Sequence, residues 1–269
     1  MKLICLNVAL FETNNKLLSE FFARQNADIL CLQEVSDKID ASANVQYVSK
    51  NAIDEATSNL QYSYFGQTWS IKEFHLKNFH KKDSFDYDFG GFIKAGNYLK
   101  SRFAIVEKKN VFVTKNRRIE VEPKDWALWP QDQVKAVLVA DLKLPSDKKL
   151  RILNYHGVWT REKLGNAETL AACKQILKLA KAVNYPTIIA GDFNLFPDTP
   201  SMKIFYDDFV SLIDTYNIQT TRPNSNELSN LKRNVVDFVL VSKDIKVNNF
   251  EVPNLEVSDH LPLILDFEI

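Results

Sequence analysis

Residues 187–194 read TIIAGDFN: an apolar run, a glycine, and then two polar side chains, Asp192 and Asn194, one residue apart. A short apolar, β-branched run bounded by turn formers is the pattern of a buried strand. Side chains along a strand alternate with period two, so Asp192 and Asn194 should point the same way as they leave its C-terminal end. Two earlier stretches repeat the plan, since Asn7 follows ICL and Glu34 follows ILCLQ. Asp237 stands at the start of VVDFVLVS, and Asp259 and His260 come just before LPLILDF. If these last two strands run antiparallel to the first three, all the polar ends meet on one rim, where open sheets usually bind ligands. Asn154 and His156 in NYH should share a face, whereas the neighbours Asp259 and His260 should point apart. Asp259 is then badly placed to orient His260, and Asp237 is the better partner.

Outward from these motifs, strand-like runs cover 3–8, 28–32, 62–65, 103–113, 134–142, 150–155, 186–190, 235–241 and 261–267. Helical patterns lie at 14–25, where Leu17, Leu18, Phe21 and Phe22 share a face, and at 164–183. Interleaved strands and helices, with hairpin-like pairs in the middle, indicate an α/β architecture of mixed sheets. Residues 69–92, Trp69 to Phe92, break the order: His75, His80, Lys77, Lys81 and Lys82 are set among aromatic residues, and the segment reads as a long surface insertion.

The 269 residues show no composition break, so a single domain over 1–269 is expected. Apolar content of 45% with 25% charged residues is enough to bury a sizeable core and argues against disorder. Lys plus Arg equals Asp plus Glu at 34 each, so no global field draws the chain to nucleic acid or an anionic membrane, although a local basic groove stays compatible. Cys5 and Cys31 lie inside apolar runs and Cys173 on the 164–183 helix, positions that suit buried thiols and a reducing compartment. The opening MKLICLNV does not read as a signal peptide, and no stretch approaches the roughly 20 apolar residues of a membrane span. A cytoplasmic monomer is the expectation.

The rim carries the inventory that phosphoester hydrolysis needs: oxygen ligands for a hard cation, a base for the attacking water, and donors for developing charge. Glu34 and Asp259 would hold Mg²⁺ or Mn²⁺, Asp192 would activate or position water, and Asn194, His156 and His260 would donate to the phosphate. Asp237 would fix the His260 tautomer. No His/Cys cluster has zinc spacing, and no phosphate-binding Gly-rich loop is present. Each residue also has a plainer reading. Asn7 could cap a turn, Glu34 could be a solvated strand end, GDFN could be an Asx turn, and His156 could be structural. Asp237 could pair with Arg233 or Lys232. Trp126 and Trp129 in DWALWP read as packing or loop anchors.

At LNV, LQEV, NYH, GDFN, VVDFVLVS and SDH, in this order over nearly the whole chain, the sequence resembles the endonuclease/exonuclease/phosphatase superfamily. The resemblance implies an α/β fold, a four-layer α-β-β-α sandwich of two packed mixed β-sheets of the DNase I type. It also implies Mg²⁺ dependence and in-line attack of water on a phosphate ester. It carries to Asp192, His260, His156 and Asp237 as catalytic residues and to Asn194, Asn7, His156 and His260 as phosphate-binding residues. Glu34, Asp259 and Asn7 are the implied metal ligands. GNYLKSR at 96–102 is a looser match to a stretch reading G-x-A-I-L-S-R in relatives. His156 in an N-x-H setting is similar to the branch that holds DNase I, inositol-polyphosphate phosphatases and sphingomyelinases. Three functions follow, in order of expectation: cleavage of nucleic-acid phosphodiesters, hydrolysis of a small-molecule or lipid phosphoester such as an inositol phosphate or sphingomyelin, and an inactive binding module of the same fold.

Overall fold

The alternation along β1 (Lys2–Asn7) lays down the architecture. Leu3 and Cys5 face one hydrophobic cluster, Ile4 and Leu6 the other, and Asn7 falls on the Leu3 side. The computed structural model describes residues 1–9, 15–39, 48–71, 93–115, 117, 120–121, 133–145, 147–223 and 233–269. Among these, β1 sits within a seven-stranded sheet whose central members are β13 (Leu263–Glu268), β1, β2 (Ile29–Ile39) and β4 (Ile93–Ser101). Its edges are β12 (Lys246–Glu251) beyond β13, and β3 (Tyr62–Ile71) followed by β6 (Glu120–Val121) beyond β4. The second sheet has six strands in the order β10 (Phe209–Ser211), β11 (Asp237–Ser242), β9 (Thr187–Asp192), β8 (Lys149–His156), β7 (Ala136–Lys143) and β5 (Ala104–Phe112).

Both sheets are mixed, and two buried clusters account for the layers. The larger joins inner-face residues of both sheets, Leu3, Cys5, Cys31 and Leu99 from the first and Val137, Leu153 and Ile189 from the second. It extends to the buried face of α3 (Ala167–Ala180), whose Ala172, Cys173 and Ile176 cover the second sheet. The smaller cluster packs Leu18, Phe21 and Phe22 of α1 (Asn15–Gln25) and Ile53 of α2 (Lys50–Ala56) on the outer face of the first sheet. The expected four-layer α-β-β-α sandwich is thus the fold. α3 starts on a capping box, in which Asn166 accepts from the Thr169 N–H and the Thr169 hydroxyl accepts from the Asn166 N–H.

The strand directions meet the condition for one polar rim. β1 and β2 are parallel with β13 antiparallel beside them, while β8 and β9 are parallel with β11 antiparallel to β9. Trp69, read in the sequence as the start of an insertion, instead extends β3; residues 72–92 of that insertion, with Trp126 and Trp129, lie outside the described residues. β4, β10, β12 and α2 were not expected from the pattern. The three cysteines are free and buried, although Cys5 and Cys31 are register partners on adjacent strands.

Candidate active site

Local backbone geometry aims the side chains that the strands deliver. Ile29, Cys31 and Gln33 of β2 face the second sheet, so strict alternation would turn Glu34 to the helix layer. It does not, because a bulge sets Gln33 and Glu34 against the single residue Asn97 between the Leu32–Tyr98 and Val35–Gly96 pairs. Glu34 takes φ +58, a left-handed conformation that costs a non-glycine residue energy, and Val35 rather than Ser36 joins the outer cluster. On β9, Gly191 has φ +151, and a Cβ there would stand 1.8 Å from the Tyr155 carbonyl oxygen. Only glycine lets β9 press on β8 so closely, which sets Asp192 beside His156, its register partner. Phe193 then anchors the turn, its ring packed edge-on against Tyr155, Phe205 and Phe238 with centroids 5.3, 5.8 and 5.5 Å away.

All eight residues expected at the site come together across the two sheets. Asn7 Nδ2 donates to Glu34 Oε1 and to Asp192 Oδ2, each at 3.1 Å, while Asn7 Oδ1 accepts from the Ala9 N–H. Asn194, at φ +55, donates from its backbone N–H to Asp192 Oδ1 at 2.8 Å and from Nδ2 to Asp192 Oδ2 at 3.2 Å. His156 Nε2 lies 3.6 Å from Glu34 Oε1 and 3.8 Å from Asp192 Oδ2. His260 Nδ1 faces the Asp237 oxygens at 2.8 and 3.0 Å, and its Nε2 lies 3.6 Å from Asp192 Oδ2 and 3.8 Å from Asp259 Oδ1. Asp237 therefore does not pair with Arg233, which bonds Asp214 instead.

Asp192 and Asp237 are cross-strand neighbours, and their surroundings push their carboxyl groups apart. Burial raises both. For Asp192 the charges of His260, His156, Arg222 and Lys163 outweigh burial and hold the carboxyl well below the usual range. For Asp237 burial prevails, the His260 charge opposing it and the Asp192 charge adding to it, so its carboxyl lies above the usual value. Burial and then the Lys135 charge push His156 well down, leaving a neutral imidazole. Burial and Arg222 lower His260, but Asp237, Asp259 and Asp192 overcome them and lift it to about 8.

A sequence profile described as the Endonuclease/Exonuclease/phosphatase family matches residues 5–260. The chain belongs to that family. Its members are metal-dependent phosphoesterases, and the chain is accordingly a phosphoester hydrolase. Comparison with curated proteins gives no match. Solved structures share the fold. A family protein from Leptotrichia buccalis is 14% identical, with all of both chains covered and a TM-score of 0.69. The mannosyl-6-phosphatase of Bacteroides thetaiotaomicron is 13% identical, again with all of both chains covered, at 0.66. The human Nocturnin catalytic domain, solved with a bound sulfate anion, is 16% identical over all of this chain and 94% of that one, at 0.63.

The family is metal-dependent, and the donor set here is of the kind that fits a hard cation. Carboxylate oxygens of Glu34, Asp192, Asp237 and Asp259 surround the rim, and Asp192, Asp237 and His260 offer ligand atoms within 4.8 Å of one another. Within that trio, however, Asp237 and His260 are spent on each other, and Thr221 donates its hydroxyl to Asp237 Oδ2 at 2.6 Å. Asn7 turns its N–H groups to the acids, the arrangement of a donor. Asp259 is tied to Arg222 at 2.8 Å.

Sequence reading missed four residues that stand beside this candidate site. Lys163, 2% exposed, donates to Asn194 Oδ1 at 2.6 Å and stands over the Trp159 ring at 4.7 Å; because an ammonium only donates, it turns the Asn194 amide N–H toward Asp192. Burial lowers Lys163 to about 8 against the Asp192 charge, and Lys135 to about 8 against Glu34 and Asp192. Thr221 and Arg222 complete the set. Lys163, Thr221 and Arg222 lie outside the strands and outside every apolar run, and Lys135, in the run 134–142, stands one residue before β7.

Proposed function

We propose that this chain hydrolyses a small-molecule phosphoester by Mg²⁺-dependent, in-line attack of water, with residues 1–269 forming one catalytic domain. The observation that carries the reading is the convergence of Asn7, Glu34, His156, Asp192, Asn194, Asp237 and His260 through hydrogen bonds and close polar contacts across the rim. When bound at Glu34, with Asp259 as the second ligand, Mg²⁺ would polarise the phosphate and neutralise developing charge, with Mn²⁺ as the alternative. Asp192, kept ionised by its cationic neighbours, accepts the proton of the attacking water or positions it. His260, held through Nδ1 by Asp237, presents Nε2–H to the phosphate oxygens. His156, neutral at Nδ1 or Nε2, and the amides of Asn7 and Asn194 supply further N–H donors.

Two observations favour a small phosphoester over nucleic acid. Lys163 and Arg222 are buried at the rim, a placement that suits one compact anion better than an extended backbone, and the chain has no net charge to attract a polyanion. A panel of inositol phosphates, sugar phosphates, sphingomyelin, bis-p-nitrophenyl phosphate, RNA and supercoiled DNA, with Mg²⁺ or EDTA, tests the reading. Metal-dependent turnover of a small ester that Asp192→Ala abolishes is the expected result. Turnover confined to RNA or DNA, and falling steeply with salt, would return the nucleic-acid reading to first place.

A further inference from the structure

We propose that Arg222 is a substrate-binding residue that docks the non-bridging oxygens of the scissile phosphate and biases the site toward phosphate monoesters over diesters; the inference rests on the phosphoesterase reading above. Arg222 is 8% exposed, and its Nη1 donates to Asp259 Oδ2 at 2.8 Å and to the Asp259 carbonyl at 3.3 Å. Its Nε is buried and has no hydrogen-bond partner among the described residues. A guanidinium carries five N–H donors in a rigid fork, and a buried donor left unmade costs folding free energy. Here the fork is held in place by Asp259 with its Nε–H unspent among the described residues. The charges that act on it most are those of Asp192, Asp259, Asp237 and Glu34, so it stands among the groups of the rim.

The segment that carries Arg222 is fixed from both sides. The Thr221 N–H donates to the Asn234 carbonyl at 2.9 Å, the Thr221 carbonyl accepts from the Leu261 N–H at 2.8 Å, and the Arg222 N–H donates to Thr220 Oγ1 at 3.0 Å. A preorganised, partly unsatisfied fork beside carboxylates that already hold other donors needs an incoming anion, and phosphate oxygens match its geometry. Charge then selects the ester. His260 and Asp237 form a pair with no net charge whichever of them holds the proton, and Glu34, Asp192 and Asp259 balance Lys135, Lys163 and Arg222. A divalent cation adds two positive charges. A monoester dianion cancels both and offers three non-bridging oxygens, whereas a diester cancels one and offers two.

The test measures binding of inorganic phosphate by calorimetry, in Mg²⁺ and in EDTA, and hydrolysis of p-nitrophenyl phosphate against bis-p-nitrophenyl phosphate, for wild type, Arg222→Gln and Arg222→Lys. Arg222→Gln should weaken phosphate binding about 10- to 100-fold, with or without metal, and lower the monoester-to-diester ratio of kcat/KM. Arg222→Lys, which keeps a cation beside Asp259 without the fork, should lose part of the affinity, and it carries the test if Arg222→Gln does not fold. Wild-type phosphate affinity in either folded variant overturns the proposal, as does a wild-type preference for the diester. Arginine-dependent phosphate binding with neither ester hydrolysed would support the phosphate contact and sink the phosphoesterase reading instead.

Discussion

β8 carries a cluster of buried charge near each of its ends, and the two are built on opposite principles. At Arg151 the cluster is closed. Nε and Nη2 donate to the two oxygens of Asp141, each at 2.7 Å, Nη1 donates to the Leu179 carbonyl, and the Tyr185 hydroxyl fills Asp141 Oδ2 at 2.6 Å. At His156 the cluster is open: carboxylates crowd one another, Glu34 is held at φ +58, and Arg222 has a donor without a partner among the described residues. Both bury charge, but only the first gives every guanidinium nitrogen and every carboxylate oxygen a partner. Buried charge by itself therefore does not mark a site in this protein. Unfinished bonding and backbone strain do.

The comparison is broken most directly at the closed cluster. Arg151→Ala leaves the buried Asp141 without its partner and should cost about 3–5 kcal/mol of unfolding free energy in a urea titration. Turnover per folded molecule should stay at the wild-type value. At the open cluster the pattern should invert. Asp192→Asn is expected to lower turnover by a factor on the order of 10² or more, while it costs less unfolding free energy than Arg151→Ala, because the amide keeps the side chain's size and can still accept from the Asn194 N–H. If Asp192→Asn unfolds the protein as Arg151→Ala does, the two clusters are alike and the distinction fails.

A smaller effect sharpens the account of the bulge. Glu34→Gln keeps the side-chain shape and removes the charge, so the Mg²⁺ concentration for half-maximal activity should rise by roughly tenfold while the fold is unaffected. Full wild-type activity in EDTA would refute the metal role altogether.

What could be read in the sequence follows the same division. The motif residues were legible because a strand buried on both faces is a continuous apolar run, and a polar group at its end breaks the pattern at a fixed place, as Asp192 does after TIIAG. The sandwich was legible from the ordered motifs. β4 was not, because Ile93–Ser101 reads IKAGNYLKS, and its Lys100 is buried through an ion pair with Asp54 at 2.9 Å and a hydrogen bond to the Thr57 carbonyl at 3.2 Å. Glu34 was placed by its position after ILCLQ, yet alternation alone would have turned it away, and the bulge that corrects it leaves no mark in the sequence. Thr221 and Arg222, in TTRP, carry no periodicity or motif that marks them. Their roles depend on Asn234 and Leu261, which the fold brings beside them.

The smallest expected effect concerns acid. Burial pushes the Asp141 carboxyl up, but hydrogen bonds from Arg151 and Tyr185 and the Arg151 charge outweigh it, so the group lies below its ordinary 3.8 when folded. A carboxyl depressed by folding contributes stability that is fully present above 3.8 and is lost as pH falls through the folded value. Asp192, depressed by its own cationic neighbours, contributes to the same acid limb, so wild-type data alone cannot separate the clusters. The difference between variants can. Asp141→Asn should flatten the loss of unfolding free energy below pH 3.8 while leaving the slope between pH 5 and 7 as in wild type. An acid limb equal to that of the wild type would mean that the closed cluster holds its proton equilibrium in the unfolded chain as well, and that its bonds stabilise by packing rather than by charge.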